Sequence, residues 1–144
     1  MERSLILVKP DAVVRGLSGA ILGRLEMEGL KMVALKMLQV DEDLARRHYA
    51  AHREKPFFQG LIIYITSAPV VAAVFEGEET VARIRGLMGP TNPASAPAGT
   101  LRRDFGIDIE RNAIHGSDSV ETAKTEISLF FSDLEFTSYD RAVG

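Results

Sequence analysis

The chain contains no cysteine and no tryptophan. The first absence excludes disulfides, thiolate metal centres and cysteine nucleophiles. Long apolar runs are missing too. The longest, around Leu61–Ile65 and Val70–Phe75, fall far short of the roughly 20 residues that a spanning helix needs. MERS opens straight into LILV, too short for a secretory signal core, so a soluble cytosolic protein with no membrane partner is expected. There is no basic excess either. Lys and Arg total 17 against 20 Asp and Glu, a formal charge of −3, so nucleic acid is not supported as a partner. The GxxxxGK[ST] loop, a GxGxxG after a strand, the HRD and DFG triplets and a serine elbow are all lacking. A phosphate enzyme built on this chain needs another device. What remains is 144 residues at 46% apolar, enough for one compact domain over 1–144.

Ser4–Val8 is a short apolar run closed by Lys9-Pro10 and reads as a buried central strand. Ser18 is expected to cap a helix through about Glu28, with Gly29 as its stop. Leu30–Val40 alternates and reads as a strand. Asp41 caps a polar helix carrying Leu44, His48 and Tyr49, and Pro56 starts another. Val70–Phe75 is a third strand, and Glu78 to about Leu87 a helix. From Met88 to Asn112 the pattern breaks down. Pro90, Pro93 and Pro97 fall there with Gly89 and Gly99, which predicts a functional or disordered loop. A cap at Ser117, Asp118 or Ser119 starts a helix to about Glu126, and Ile127–Phe131 reads as the last strand. The order gives an α+β fold with a βαββαβ core, its helices on one face of a four-stranded antiparallel sheet.

Three histidines are present. His48 and His52 have the i,i+4 spacing of paired metal ligands, but Tyr49 stands where the metalloprotease pattern needs Glu. They read as exposed helix residues. His115 lies between an extended segment and a helix start, in NAIHGSD, with Gly116 keeping space beside the imidazole. A neutral imidazole there could attack phosphorus, or it could be a cap-region side chain satisfied by Asp118. Arg83, Arg85, Arg102, Arg103 and Arg111 flank the Pro/Gly-rich loop, and guanidinium forks match phosphate oxygens. Arg83 and Arg103 in particular could equally be solvated surface residues. Glu126 could accept one imidazole N–H and leave the other nitrogen as nucleophile.

Six blocks carry a resemblance. NAIHGSD, LVKPDAVVRG, HYAAHREKPFF, PVVAAVFEGE, GPTNPASAPAGTLRRDFG and SDSVETAKTEISLFF run in register from about Glu2 to Leu134, and together they resemble nucleoside diphosphate kinases. Residues 135–144 match weakly and look like a short bacterial-type tail. TNPASAPAG departs from the family's usual placement of its second proline, which bears on loop geometry and assembly.

The resemblance implies a ferredoxin-like fold. It implies transfer of the terminal phosphate of a nucleoside triphosphate, mainly ATP, to nucleoside diphosphates and their deoxy forms. Transfer passes through a phosphohistidine and maintains the NTP and dNTP pools. By motif, His115 resembles the nucleophile and Glu126 the residue orienting it, with Ser117 and Tyr49 as close neighbours. Lys9 and Asn112 resemble the ribose and phosphate contacts, and Arg85, Thr91 and Arg102 the phosphate clamp. Phe57 resembles the platform for the base, with Ile109 opposite. Mg²⁺ is implied on the nucleotide phosphates, with Asp118 nearby through water and no direct protein ligand. A homo-oligomer is implied, a hexamer rather than a tetramer. A phosphohistidine carrier and a silent binding module are the rival readings. Phe57, Arg85 and Arg102 favour a nucleotide over the first, and intact His115, Lys9 and Asn112 disfavour the second.

Overall fold

The computed structural model describes residues 1–142. Four strands form one antiparallel sheet in the order β2-β3-β1-β4. They are β1 (Glu2–Val8), β2 (Lys31–Leu38), β3 (Val70–Gly77) and β4 (Ile114–Gly116). Seven helices connect them among the described residues: α1 (Pro10–Val14), α2 (Ser18–Met27), α3 (Glu42–His48), α4 (Phe58–Ile65), α5 (Thr80–Met88), α6 (Leu101–Phe105) and α7 (Val120–Phe130). None is long and apolar enough to cross a membrane.

β1 is central, paired with β3 from Glu2↔Gly77 to Val8↔Val71 and with β4 through Leu7↔His115. A strand's side chains alternate between faces, and here both faces are covered. Leu5, Leu7, Ala72 and Val74 pack under Ala45, Ile62, Ile65 and Phe130, from α3, α4 and α7. Ile6, Val8, Ala73 and Phe75 pack under Ala12, Ile21, Leu25 and Ile84, from α1, α2 and α5. The expected α+β class and ferredoxin-like sheet hold, but helices on one face do not. The continuously apolar β1 and β3 need cover on both sides.

The fourth strand also differs from expectation. Ile127–Phe131 is not a strand: Ile127–Phe130 forms the last turn of α7, Phe131 is its C-cap, and the strand is the three-residue segment carrying His115. α2 starts one residue after Leu17, with no side-chain cap from Ser18. Asp41 does cap α3, its side chain accepting from Leu44 N–H. The Pro/Gly-rich loop is ordered by its own caps. Asn92 accepts from Ala94 N–H, and Thr100 caps α6. The segment around Thr137 and Tyr139 lies along β2, where a bulge between Met32 and Ala34 interrupts pairing with β3. Val33 O accepts there from Thr137 N–H, so the bulge's unpaired carbonyl is satisfied.

Candidate active site

The site forms where β4 ends and α7 begins. Pairing with Leu7 sets His115 on the same sheet face as the α3–α4–α7 layer. Its imidazole faces Glu126, midway along α7, with Nε2 at 3.0 Å from Oε1. A carboxylate can only accept, so the proton of the neutral ring lies on Nε2 and the lone pair on Nδ1. Ser117 Oγ–H donates to the same Oε1 at 2.7 Å, and Ser117 is completely buried. Burial works to raise the Glu126 pKa. The hydrogen bond from His115, the neighbouring imidazoles and the bond from Ser117 outweigh it and hold the carboxyl below its ordinary value. The cap reading of His115 does not hold: its partner is Glu126, and Asp118 is exposed.

Gly116 serves packing rather than openness. A Cβ there would meet Met88 Sδ of α5 at 2.5 Å and Ile84 Cγ2 at 3.2 Å.

A second cluster holds a lysine. Lys9 Nζ donates to Asn112 Oδ1 at 2.8 Å and to Glu110 O at 2.9 Å. Burial, reinforced by the Arg102 charge, lowers its pKa to about 8. Asn112 Nδ2 in turn donates to the carbonyls of Thr91 and Ile109. Ala113, at φ 75°, turns the backbone between Asn112 and β4, a conformation costly for a residue with a Cβ and tolerated where contacts on both sides fix it. Arg102 donates to Gly89 O and Ile114 O, while its buried Nε has no partner. Arg85 reaches Gly116 O at 3.4 Å. The backbone of β4 is thus bracketed by two guanidinium groups.

The other arginines of the presumed cluster do not join them. Arg111 pairs with Asp108, Arg103 donates to Ala94 O, and Arg83 to Glu28 O. Phe57 and Ile109 are 51% and 62% exposed. Asp118 lines a groove together with Arg85, and neither His115 nor Glu126 is among its lining residues.

His48 is the residue that sequence reasoning missed. Its side chain is 1% exposed, not solvated, and it does not pair with His52. The ring meets His115 edge-on with centroids 4.6 Å apart, and also touches Tyr49 and Phe130. Tyr49 packs edge-on against this ring, with centroids 4.7 Å apart. The signal was present: Ala45 and His48 are three apart on α3, so a buried Ala45 predicts a buried His48. His52 lies beside Phe57, at 5.7 Å between centroids.

Comparison with known proteins places the chain in a family. The family model described as nucleoside diphosphate kinase matches residues 2–136. A nucleoside diphosphate kinase of Dehalococcoides mccartyi is 63% identical over 141 residues, covering 98% of this chain and 99% of the relative. One from Archaeoglobus fulgidus is 56% identical over 142 residues, covering 99% and 94%. The solved structure of the halophilic enzyme from Halobacterium salinarum in complex with CDP superposes with a TM-score of 0.95 at 50% identity, covering 98% of this chain and 94% of that one. A family protein from Babesia bovis gives 0.96 at 43% identity, covering 100% and 97%. A histidine fixed by a buried carboxylate, a lysine–asparagine pair beside it and sequence identity along nearly the whole length lead to one conclusion: the chain belongs to the nucleoside diphosphate kinase family.

Proposed function

We propose that this chain transfers the terminal phosphate of a nucleoside triphosphate, mainly ATP, to nucleoside and deoxynucleoside diphosphates, with His115 as the covalent carrier. The observation that carries the reading is the 3.0 Å contact between His115 Nε2 and Glu126. It leaves the Nδ1 lone pair free and the ring unable to turn away. In the first half-reaction the Nδ1–P bond forms as the bond from phosphorus to the departing diphosphate's oxygen breaks. Positive charge developing on the ring is compensated by Glu126, whose Oε1 is itself held by Ser117. The second half-reaction runs the same steps backward onto a new diphosphate, so one pocket serves donor and acceptor in turn. Tyr49 acts by packing against His48.

Arg85 and Arg102 spread charge over the phosphoryl group in flight, where little covalent help is needed. Lys9 and Asn112 hold the ribose and inner phosphate, Thr91 completes the clamp, and a base stacks on Phe57 with Ile109 opposite. The family works with a divalent cation. The donors around this pocket are cationic or amide groups, which suits Mg²⁺ brought in on the nucleotide phosphates, with Asp118 reaching it through water. When bound it neutralises phosphate charge and orients the chain of phosphates. We further take residues 1–144 as one such domain with 135–144 as its divergent tail, located in the cytoplasm.

The test is incubation with labelled ATP alone. ADP should appear in an amount matching subunits and then stop until a diphosphate is added. The label should be lost in acid and kept in base. His115→Ala should fold and bind nucleotide yet exchange nothing, and Glu126→Gln should be slowed rather than silenced. Acid-stable label on Ser117, or full exchange by His115→Ala, overturns the reading.

A further inference from the structure

His48 handles no proton or phosphate in the mechanism just described and serves there only as the ring on which Tyr49 packs. Both its ring nitrogens are buried without a hydrogen-bond partner, a state that costs free energy unless something occupies the lone pair or the N–H. Nδ1 of this ring lies 4.0 Å from Glu126 Oε2. On the opposite oxygen of the same carboxylate stands His115 Nε2, at 3.0 Å. One donor atom from each of the three residues lies within 4.8 Å of the other two. Two ligand atoms on one tetrahedral zinc are about 3.4 Å apart, given bond lengths near 2.0–2.1 Å. Rotations of His48 and Glu126 that move their donor atoms by roughly an ångström close the set. Two imidazoles and one carboxylate with a fourth position open is a recognised zinc donor set, whereas Mg²⁺ prefers oxygen ligands in an octahedron. His115, 23% exposed at its side chain, is the accessible ligand.

We propose that His48, His115 and Glu126 form a site for one zinc-like divalent ion, and that its occupation switches off phosphate transfer. The switch is a change of tautomer. Metal on Nε2 takes the lone pair that a proton there would use, and the one N–H left on the neutral ring moves to Nδ1. Nδ1 then has no lone pair with which to attack phosphorus. The proton balance closes: the proton leaving Nε2 is the one Nδ1 gains, and none is released. Glu126 meanwhile exchanges a hydrogen bond from the ring for the cation. The inhibitory part rests on His115 as nucleophile; the binding part does not, and the experiment keeps them separate.

The full-length protein, free of nucleotide and Mg²⁺, is titrated with Co²⁺ and followed by visible absorption. Bands of a four-coordinate ion should grow to one equivalent per subunit and vanish when Zn²⁺ is added. His48→Gln and His48→Phe should weaken Co²⁺ binding by roughly 100-fold, as loss of one of three ligands does. In exchange assays with Mg²⁺ in large excess, micromolar Zn²⁺ should remove most wild-type activity, a chelator should restore it, and the His48 variants should resist. No Co²⁺ band in the wild type overturns the site outright. So does an unchanged band in either folded His48 variant. Should both variants fail to fold, Glu126→Gln gives the same binding readout, which needs no catalysis, and an undiminished band there overturns the site equally. A band with undiminished exchange overturns the switch alone.

Discussion

His48 shows what a single buried side chain can impose on the molecule. Desolvation, with repulsion from the His115 imidazole outweighing the attraction of Glu126, lowers its pKa from 6.5 to about 3. The unfolded chain therefore binds a proton near pH 6.5 that the folded chain refuses until far lower. Stability is complete above the unfolded value and declines as pH falls below it. One proton's difference is about 1.4 kcal/mol per pH unit, so lowering the pH through 6.5 to 5 costs about 2 kcal/mol. Urea unfolding at pH 7 and pH 5 should show this loss, and His48→Phe should flatten the profile between those values. A wild type equally stable at both leaves His48 without the assigned burden. Glu126, whose folded pKa is lowered, adds loss in the same direction, in a lower window as pH falls through the carboxylate range.

At the scale of elements, the proposed catalytic centre depends on how β4 and α7 sit against α5. Gly116 has no room for a methyl group, because Met88 Sδ would stand 2.5 Å from it. Gly116→Ala must push α5 or shift the strand that carries His115. The expected cost is about 1–3 kcal/mol of stability with a fall in exchange rate. Adding Met88→Ala to that variant should recover part of both, a non-additivity expected only if the two side chains compete for one space. Simple addition of the two losses would remove the packing account of Gly116. These elements also mark where the sequence was readable. β1 and β3 announce themselves by runs of apolar residues, and α3 by its Asp41 cap. β4 does not, because three residues are too few to display a period. Ile127–Phe131 looks like a strand if read alone. The helical face emerges only when Ala123, Ile127 and Phe130 are taken at spacings of four and three. Five residues singled out in the sequence, His115, Glu126, Ser117, Lys9 and Asn112, stand in two hydrogen-bonded groups; the contact of His115 with Glu126 was readable, the bond between Lys9 and Asn112 was not. His48 was missed because the helix reads as polar, and only its spacing of three from the small apolar Ala45 marks the face that is buried.

Across the whole molecule, apolar surface and the part of a strand edge beyond Val33 stand uncovered among the described residues. β2 is an edge strand, and Leu35 and Met37 on it are 51% and 62% exposed. Unpaired edges with exposed apolar residues favour pairing with another chain. We expect a homo-oligomer, with light scattering giving about six times the 15.8 kDa chain, or four times if the altered TNPASAPAG loop changes the contacts. A monomer at micromolar concentration contradicts both.

A pocket used in two successive half-reactions must accept one nucleotide as donor and others as acceptor, so its selectivity has to lie in what all nucleotides share. The groups found here meet that need. Lys9 and Asn112 are locked to each other and to the Thr91 and Ile109 carbonyls, which makes their hydrogen bonds directional and intolerant of a missing partner. Phe57 and Ile109 offer exposed apolar surface and no base-edge donors. Stacking on such surfaces contributes about 1–3 kcal/mol per base and distinguishes bases weakly. GDP, CDP, UDP and deoxynucleoside diphosphates should therefore fall within a modest range of kcat/KM, whereas loss of the ribose hydroxyl proposed to bind Lys9 and Asn112 should cost more than any change of base. Phe57→Ala should raise KM for every base alike. Reciprocal plots with both substrates varied should be parallel, since donor and acceptor never occupy the pocket together. A preference of several orders of magnitude for one base, or intersecting lines, would show that the pocket reads the base edge or holds both nucleotides at once.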